Sequence, residues 1–158
     1  MHKKLLYTFK MIDKNQKNIA TFIHLSTFSR FFFPLGNFIG PIVLWVANKD
    51  KSDFIDAHGK QALNFQISIL LYAIVLGMIT IPFFIFNLLD GFQFINMDAF
   101  NSIHISLTKP SPLLYISGGL GFVAVVGFIL ELVFIVKASL AAKEGLYYHY
   151  PLTINFIK

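Results

Sequence analysis

The sequence predicts an all-α integral membrane protein of four helices. Only 13% of its 158 residues are charged and 56% are hydrophobic, whereas an ordinary soluble domain is about 25% charged and about 45–50% apolar. Three long runs, at 18–48, 61–89 and 111–136, are almost free of Asp, Glu, Lys and Arg. A soluble domain of this length could not bury so much apolar surface, so we expect a single helical membrane domain over 18–158.

Two of these runs predict transmembrane helices. The run 61–89 has no charged side chain, and the run 111–136 has only Glu131. A helix needs about 20 apolar residues to cross a hydrocarbon core of about 30 Å, and both runs are longer than that. We predict helices at about 55–89 and about 112–144, with Ser52 or Asp53 capping the first helix and Gly145 ending the second.

The first run is interrupted by residues that favour turns. Pro34 and Gly36 lie at its middle, and Gly40-Pro41 follows shortly after. One kinked spanning helix and a hairpin of two short helices both fit this pattern. Each arm of the hairpin, about 19–33 and about 37–47, would be too short to cross the bilayer at about 1.5 Å per residue.

The distribution of lysines favours the hairpin. Lysines number five in 1–18, three in 49–60, one in 90–110 and three in 137–158. Because Lys and Arg collect in cytoplasmic segments, these counts predict cytoplasmic termini, a basic cytoplasmic arm at 1–17 and an external loop at 90–111. A single spanning helix would place five lysines outside. We therefore expect 18–48 to be a re-entrant hairpin in the cytoplasmic (inner) membrane of a bacterium.

Three ionisable side chains fall inside the apolar runs. They are His24, Arg30 and Glu131. Such residues are costly in a bilayer and mark candidate functional sites. By the rise of a helix, His24 and Glu131 lie at similar depths, about 9 Å from the ends of their runs. Glu131 is therefore a candidate partner for His24, Arg30 or both, either as structural ion pairs or as a site that handles protons or ions.

The second run begins with a polar stripe. Gln61, Asn64, Ser68 and Tyr72 are spaced three, four and four residues apart, so they share one helical face. Amide and hydroxyl side chains in this pattern hydrogen-bond to a neighbouring helix or line a polar cavity that opens to the cytoplasm. At the other end of the chain, three tyrosines and alternating apolar residues predict an interfacial tail at 146–158.

The chemistry that the sequence excludes is broader than the chemistry that it predicts. The chain has no Cys, and it lacks a phosphate-binding glycine loop, a metal-binding His-Glu helix and a nucleophile elbow. Its net charge of +5 comes from basic residues between the apolar runs rather than from one basic face. We therefore expect no enzymatic activity, no cofactor, no metal and no nucleic-acid partner.

Four stretches carry a family resemblance: His24 to Thr27, Pro34 to Trp45, His58 to Gln66, and Ala142 to Leu152. Together they resemble a family of small bacterial membrane proteins of unknown function, distantly similar to the four-helix Tic-twenty subunit of the chloroplast inner-envelope protein translocon. The resemblance implies a four-helix membrane unit and no established catalytic residue. The motif positions that it implies are Pro34, Gly36, Gly40, Pro41, Trp45, His58, Gly59, Asn64, Phe65, Tyr150 and Pro151.

These observations favour a non-enzymatic role in the bilayer. We expect an integral subunit or accessory factor of a larger cytoplasmic-membrane complex, with other membrane proteins as partners and with protein or solute transport as a candidate process. The alternative is a small transporter or channel with a polar path near His24, Asn64 and Glu131.

The re-entrant hairpin predicts where two introduced cysteines will react. Because the chain has no native Cys, Lys14→Cys and Asp98→Cys can be labelled separately with a membrane-impermeant maleimide. We expect the two positions to be labelled from opposite sides of the membrane. Labelling from the same side would favour one kinked spanning helix in the first run.

Overall fold

The structure, a computed structural model, describes residues 12–93 and 112–158, and these contain four α-helices and no strand. The helices are α1 (Lys14–Leu25), α2 (Gly36–Val46), α3 (Asp53–Gln93) and α4 (Pro112–Glu144), with 3₁₀ segments at Ser26–Phe31 and Lys49–Lys51. The predicted four-helix fold is confirmed. Residues 1–11 of the predicted basic arm (1–17) lie outside the described residues. So do residues 94–111 of the predicted loop (90–111).

The first apolar run forms a hairpin. The 3₁₀ segment continues α1, the chain turns at 32–35 beside Pro34, and α2 packs against α1 and the 3₁₀ segment. One kinked helix over this run is therefore wrong, and the two-helix hairpin is correct. With 11 residues, α2 is about 16 Å long and too short to cross a bilayer core of about 30 Å. Entry and exit on the same side of the membrane stays a prediction.

Two glycines allow helices to approach each other closely. A Cβ atom at Gly36 would overlap the backbone of Ser29, and a Cβ atom at Gly59 would overlap the indole of Trp45. The indole Nε1 of Trp45 also donates a hydrogen bond to Asp56 Oδ1 at 2.8 Å. Trp45 therefore joins α2 to the first turns of α3 both by contact and by a directed polar bond.

The ends of α3 and α4 are set by local chemistry. The Ser52 hydroxyl accepts a hydrogen bond from the backbone N–H of Ile55 at 3.3 Å, which caps α3. At the end of α4, Gly145 has a φ of +86°, and the N–H of Leu146 donates to the carbonyl of Ala141 at 2.9 Å. This is the bonding of a Schellman motif. Both predicted ends are confirmed.

The residues 12–69 and 132–158 form one compact unit with three apolar clusters. Each cluster combines residues that are distant in sequence, so the hairpin, the start of α3, the end of α4 and the tail share one core. The fully or nearly fully buried members are Phe65, Ile135, Ala138 and Tyr150 in the first cluster, Ala20, Phe54 and Ala142 in the second, and Ile23, Ile55 and Ala62 in the third.

The residues 70–131 form the other unit, and their described apolar side chains are largely exposed. Met78 is 64% exposed and Phe122 is 70% exposed. The two segments long and apolar enough to cross a membrane are Asp53–Pro82 and Gly118–Glu144 among the residues described. Exposed apolar side chains in such number face lipid rather than water. The chain is a membrane protein embedded in the bilayer by these helices.

The close contact at Gly59 predicts a loss of stability on substitution. Gly59→Ala would press a methyl group into the Trp45 indole, and overpacking of this kind costs about 1–3 kcal/mol. We expect a lower thermal unfolding midpoint for the purified chain in detergent. The matched control is Gly127→Ala, because a Cβ atom at Gly127 has no described atom within 4 Å. An equal decrease in both variants would contradict this packing.

Candidate functional site

A chain of buried polar groups links the tail, the hairpin and α3. The Tyr150 hydroxyl lies 2.9 Å from His24 Nδ1, and His24 Nε2 lies 2.8 Å from His58 Nδ1. The side chains of His24 and His58 are 0% and 1% exposed. Because a neutral imidazole has one N–H donor and one bare nitrogen acceptor, the three groups form a hydrogen-bonded chain that runs in one of two directions.

Aromatic rings enclose this polar chain. The Phe54 ring meets His58 edge to face with centroids 4.4 Å apart, and the Tyr147 ring stacks parallel to His58 at 6.0 Å. Phe65 stacks on Tyr150 at 4.0 Å. The rings hold the imidazoles in place and keep water away from the bonds between them. Because the surrounding rings limit rotation of the imidazoles, the arrangement can hold a hydrogen bond in one orientation. It can likewise orient a polar group at the end of the hydrogen-bonded chain.

The C-terminal tail is bound to the polar stripe of α3. Asn64 Oδ1 accepts hydrogen bonds from the backbone N–H groups of Phe156 and Ile157 at 3.1 and 2.8 Å, and its Nδ2 donates to the carbonyl of Ile157 at 3.0 Å. The Ser68 hydroxyl accepts a hydrogen bond from the N–H of Ile154 at 2.9 Å. These two stripe residues thus contact an extended segment rather than another helix, which neither reading of the stripe anticipated.

The other two stripe residues have different surroundings. Gln61 lines a cavity between α3 and the tail, and its Oε1 atom is buried without a hydrogen-bond partner among the described residues. Tyr72 is 44% exposed and belongs to the unit 70–131. The stripe therefore divides into residues that bind the tail, one that faces a cavity and one on the exposed part of α3.

The ionisable residues are not all used as expected. Both ring nitrogens of His24 are engaged by His58 and Tyr150 rather than by Glu131. Glu131 is buried at 6% exposure and Arg30 is half-buried. Pairing between Arg30 and Glu131 stays a prediction. The sequence marked His58 as a motif residue and Tyr150 both as a motif residue and as one of the three tyrosines of the predicted interfacial tail. Nothing local in the sequence shows that both meet His24.

One further polar pair was not predicted. Asn37 Nδ2 donates to Gln66 Oε1 at 2.8 Å, which joins the start of α2 to α3. Both residues lie inside the stretches that carry the family resemblance. The sequence feature that could have indicated this pair is an amide side chain inside an apolar run. Gln66 lies two residues after Asn64 and hence points in a different direction from the stripe.

The motif positions are mainly structural in this fold. Pro34 lies in the exposed hairpin turn, Gly40 and the buried Pro41 lie in α2, and Pro151 follows Tyr150 in an exposed turn of the tail. A Cβ atom at Gly40 would lie 2.8 Å from Ser29 Oγ, so this glycine, like Gly36, allows the hairpin arms to pack closely. The described residues contain no group of three His, Cys, Asp or Glu side chains that could hold a metal ion. The expectation of no metal stays a prediction.

Comparison with known families identifies the chain. Residues 15–157 match the magnetosome magnetite crystal formation protein family, MamF/MmsF. The chain belongs to this family. The match covers the hairpin, both long helices and most of the tail, including every element that contributes to the buried polar chain. No curated protein and no solved structure matches the sequence.

Membership of the MamF/MmsF family corrects the family resemblance suggested by the sequence. The interpretation as a relative of the Tic-twenty translocon subunit is wrong, because the family that matches is MamF/MmsF and nothing supports a Tic-twenty relationship. The short motifs carried too little information to distinguish two families of small helical membrane proteins. The four-helix architecture that they implied does not depend on that assignment and stands on the structure itself.

The bonds between Asn64 and the tail predict a position-specific change in hydrogen exchange. Asn64→Leu removes both acceptor bonds to Phe156 and Ile157, each worth about 0.5–1.5 kcal/mol. We expect exchange of these two amides to become roughly tenfold faster in the detergent-solubilised chain. In Ser68→Ala the faster exchange should be confined to Ile154. Unchanged exchange at 156 and 157 in Asn64→Leu would show that the tail is held by other contacts.

Proposed function

We propose that the chain is a non-catalytic membrane subunit that takes part in magnetosome magnetite crystal formation by binding another membrane protein through α4. The process is that of its family. The membrane is the magnetosome membrane, which derives from the inner membrane. The observation that carries the subunit role is a row of small, exposed residues along α4, within the segment that spans the bilayer.

The row consists of Gly118, Gly121, Ala124 and Gly127, which recur every three residues. All four are exposed, and Cβ atoms built at the three glycines have no described atom within 4 Å. Residues spaced by three form a ridge that runs obliquely around a helix, so a partner helix would contact the middle of this row, at Gly121 and Ala124, rather than all four residues. In lipid, where helices do not associate by the hydrophobic effect, small residues allow the backbones of two helices to approach and to pack.

The neighbouring side chains support this role for the row. Phe122, Val123 and Val125 are between 56% and 70% exposed. They form a wide apolar surface around the row. A partner helix packed against the row would gain contacts with these flanking side chains. The proposed partner is therefore an apolar transmembrane helix of another membrane protein.

The contacts near the predicted polar path give less support to the transporter alternative. The ring nitrogens of His24 are used by His58 and Tyr150, and the side-chain oxygen and nitrogen of Asn64 are used by the tail. A polar path needs groups that can exchange partners with a passing solute. We therefore favour the subunit role and propose that the chain has no catalytic activity of its own.

The subunit role predicts that one glycine matters for association and a neighbouring one does not. Gly121→Leu would fill the row, and Gly119→Leu would add the same side chain about 200° away around the helix. Gly119 is also exposed and also has no described atom within 4 Å of its Cβ position. We expect purification of the tagged full chain from native membranes in mild detergent to recover a stoichiometric membrane partner.

Recovery of that partner should fall about five- to thirtyfold in Gly121→Leu, because a leucine in the row prevents close helix packing and costs on the order of 1–2 kcal/mol. Recovery should be unchanged in Gly119→Leu. Absence of any stoichiometric partner of the unmodified chain would refute the subunit role. Equal loss in both variants would place the interface elsewhere on α4. A solute flux in proteoliposomes that disappears in Glu131→Gln would instead establish the transporter alternative.

A further inference from the structure

A cavity lies between the first turns of α3 and the C-terminal tail. Its volume is about 360 Å³, and it is lined from α3 by His58, Lys60 and Gln61 and from the tail by Tyr148 and Lys158, among others. All of these residues belong to the unit formed by 12–69 and 132–158. Ligand-binding clefts measure about 300–1,000 Å³, so the space is large enough for a small ligand.

Two buried polar atoms of α3 beside this cavity are not fully satisfied by hydrogen bonds. Among the described residues, Gln61 Oε1 makes no hydrogen bond, and His58 Nε2 makes none of regular geometry, although the backbone of Leu146 forms a distorted hydrogen bond with the His58 ring. The two residues are three positions apart, so their side chains are neighbours on one face of the helix. Buried polar atoms in native proteins are nearly always satisfied, and both residues line the same cavity.

The hydrogen bonds that join Tyr150, His24 and His58 explain how His58 Nε2 could carry a proton and act as a donor. If the Tyr150 hydroxyl donates to His24 Nδ1 and His24 Nε2–H donates to His58 Nδ1, the remaining proton of His58 is on Nε2. That N–H group is then a donor fixed by the rings around it. Gln61 Oε1 is an acceptor. The pair therefore matches a ligand that offers an acceptor and a donor side by side.

The charges around the cavity favour an anionic ligand. Lys60 and Lys158 line it, and no Asp or Glu side chain does so among the described residues. Lys60 also binds Asp56 at 2.6 Å, whereas Lys158 lines the cavity without an ion pair to an Asp or Glu side chain among the described residues. Burial raises the pKa of the Tyr148 hydroxyl above its ordinary range, so this group remains a neutral donor. A metal ion would instead need carboxylate or several imidazole ligands.

We propose that this cavity binds a phosphate group that has a hydroxyl close by, such as a glycerol phosphate. Phosphate oxygens accept hydrogen bonds from His58 Nε2–H and from Lys158, and the hydroxyl donates to Gln61 Oε1. The cavity lies at the first turns of the segment Asp53–Pro82, which is apolar and long enough to span a membrane. Phosphates of anionic lipids lie at that depth, so the phosphate belongs either to a lipid headgroup or to a free molecule.

The test compares the two sources on the purified full chain. Thermal unfolding midpoints are measured in maltoside micelles with added phosphatidylglycerol, with added phosphatidylcholine, or with glycerol 3-phosphate. A midpoint that rises with phosphatidylglycerol but not with phosphatidylcholine supports a lipid headgroup as ligand. A rise with glycerol 3-phosphate supports a free phosphate. No rise with phosphatidylglycerol or with glycerol 3-phosphate overturns the proposal.

Three variants distinguish ligand binding in a shaped site from simple attraction of an anion to surface charge. Gln61→Leu keeps the size of the side chain and removes the acceptor, and Lys158→Gln removes the charge. We expect both to weaken apparent affinity at least about fivefold. Gln61→Leu should also leave the unliganded chain equally or more stable, because it removes a buried unpartnered atom.

The matched control is Lys143→Gln, at an exposed lysine of α4 that does not line the cavity. It should leave affinity unchanged. Equal affinity in the unmodified chain, Gln61→Leu and Lys158→Gln overturns the proposal. A loss in Lys158→Gln alone would mean attraction to charge without a shaped site, and it overturns the proposal as well.

Discussion

The hydrogen bond between the Tyr150 hydroxyl and His24 joins parts of the chain that are more than 120 residues apart in sequence. His58 extends the connection to α3. Without Tyr150, His24 would be a buried imidazole that lacks one partner, and an unsatisfied group of this kind costs about 1–3 kcal/mol in an environment without water. The hairpin, the start of α3 and the tail are therefore interdependent, because each supplies a polar group that the others need.

The same constraint explains why polar and apolar residues are separated so sharply. In the unit formed by 12–69 and 132–158, several amides and hydroxyls bind one another or the backbone, as Asn64 and Ser68 bind the backbone of the tail. In the unit 70–131, the described side chains are mostly apolar and exposed. A bilayer offers no hydrogen bonds to an unsatisfied group. Polar side chains are consequently concentrated where the chain itself can provide their partners.

Much of the architecture could be predicted because it depends on local properties. The length of the uncharged runs predicted α3 and α4, Gly145 predicted the end of α4, and Pro34 with Gly36 predicted the turn of the hairpin. The candidate site was predicted less well. The stripe on α3 follows from helical periodicity, but its partner is an extended tail that has no periodicity of its own. The His24–His58 contact joins residues whose spacing of 34 carries no helical or strand pattern.

By itself the sequence determined that this is a helical membrane protein with two long helices, where the second of them ends, and that its first run is interrupted by turn residues, because charge content, hydropathy and turn residues act over short distances. Only the tertiary structure decided what the polar residues do. Asn64 binds a tail more than 90 residues away, and His24 pairs with His58 and Tyr150 instead of a carboxylate. A hydrogen bond depends on the position of two atoms within a few tenths of an ångström, and such positions follow from packing of the whole chain.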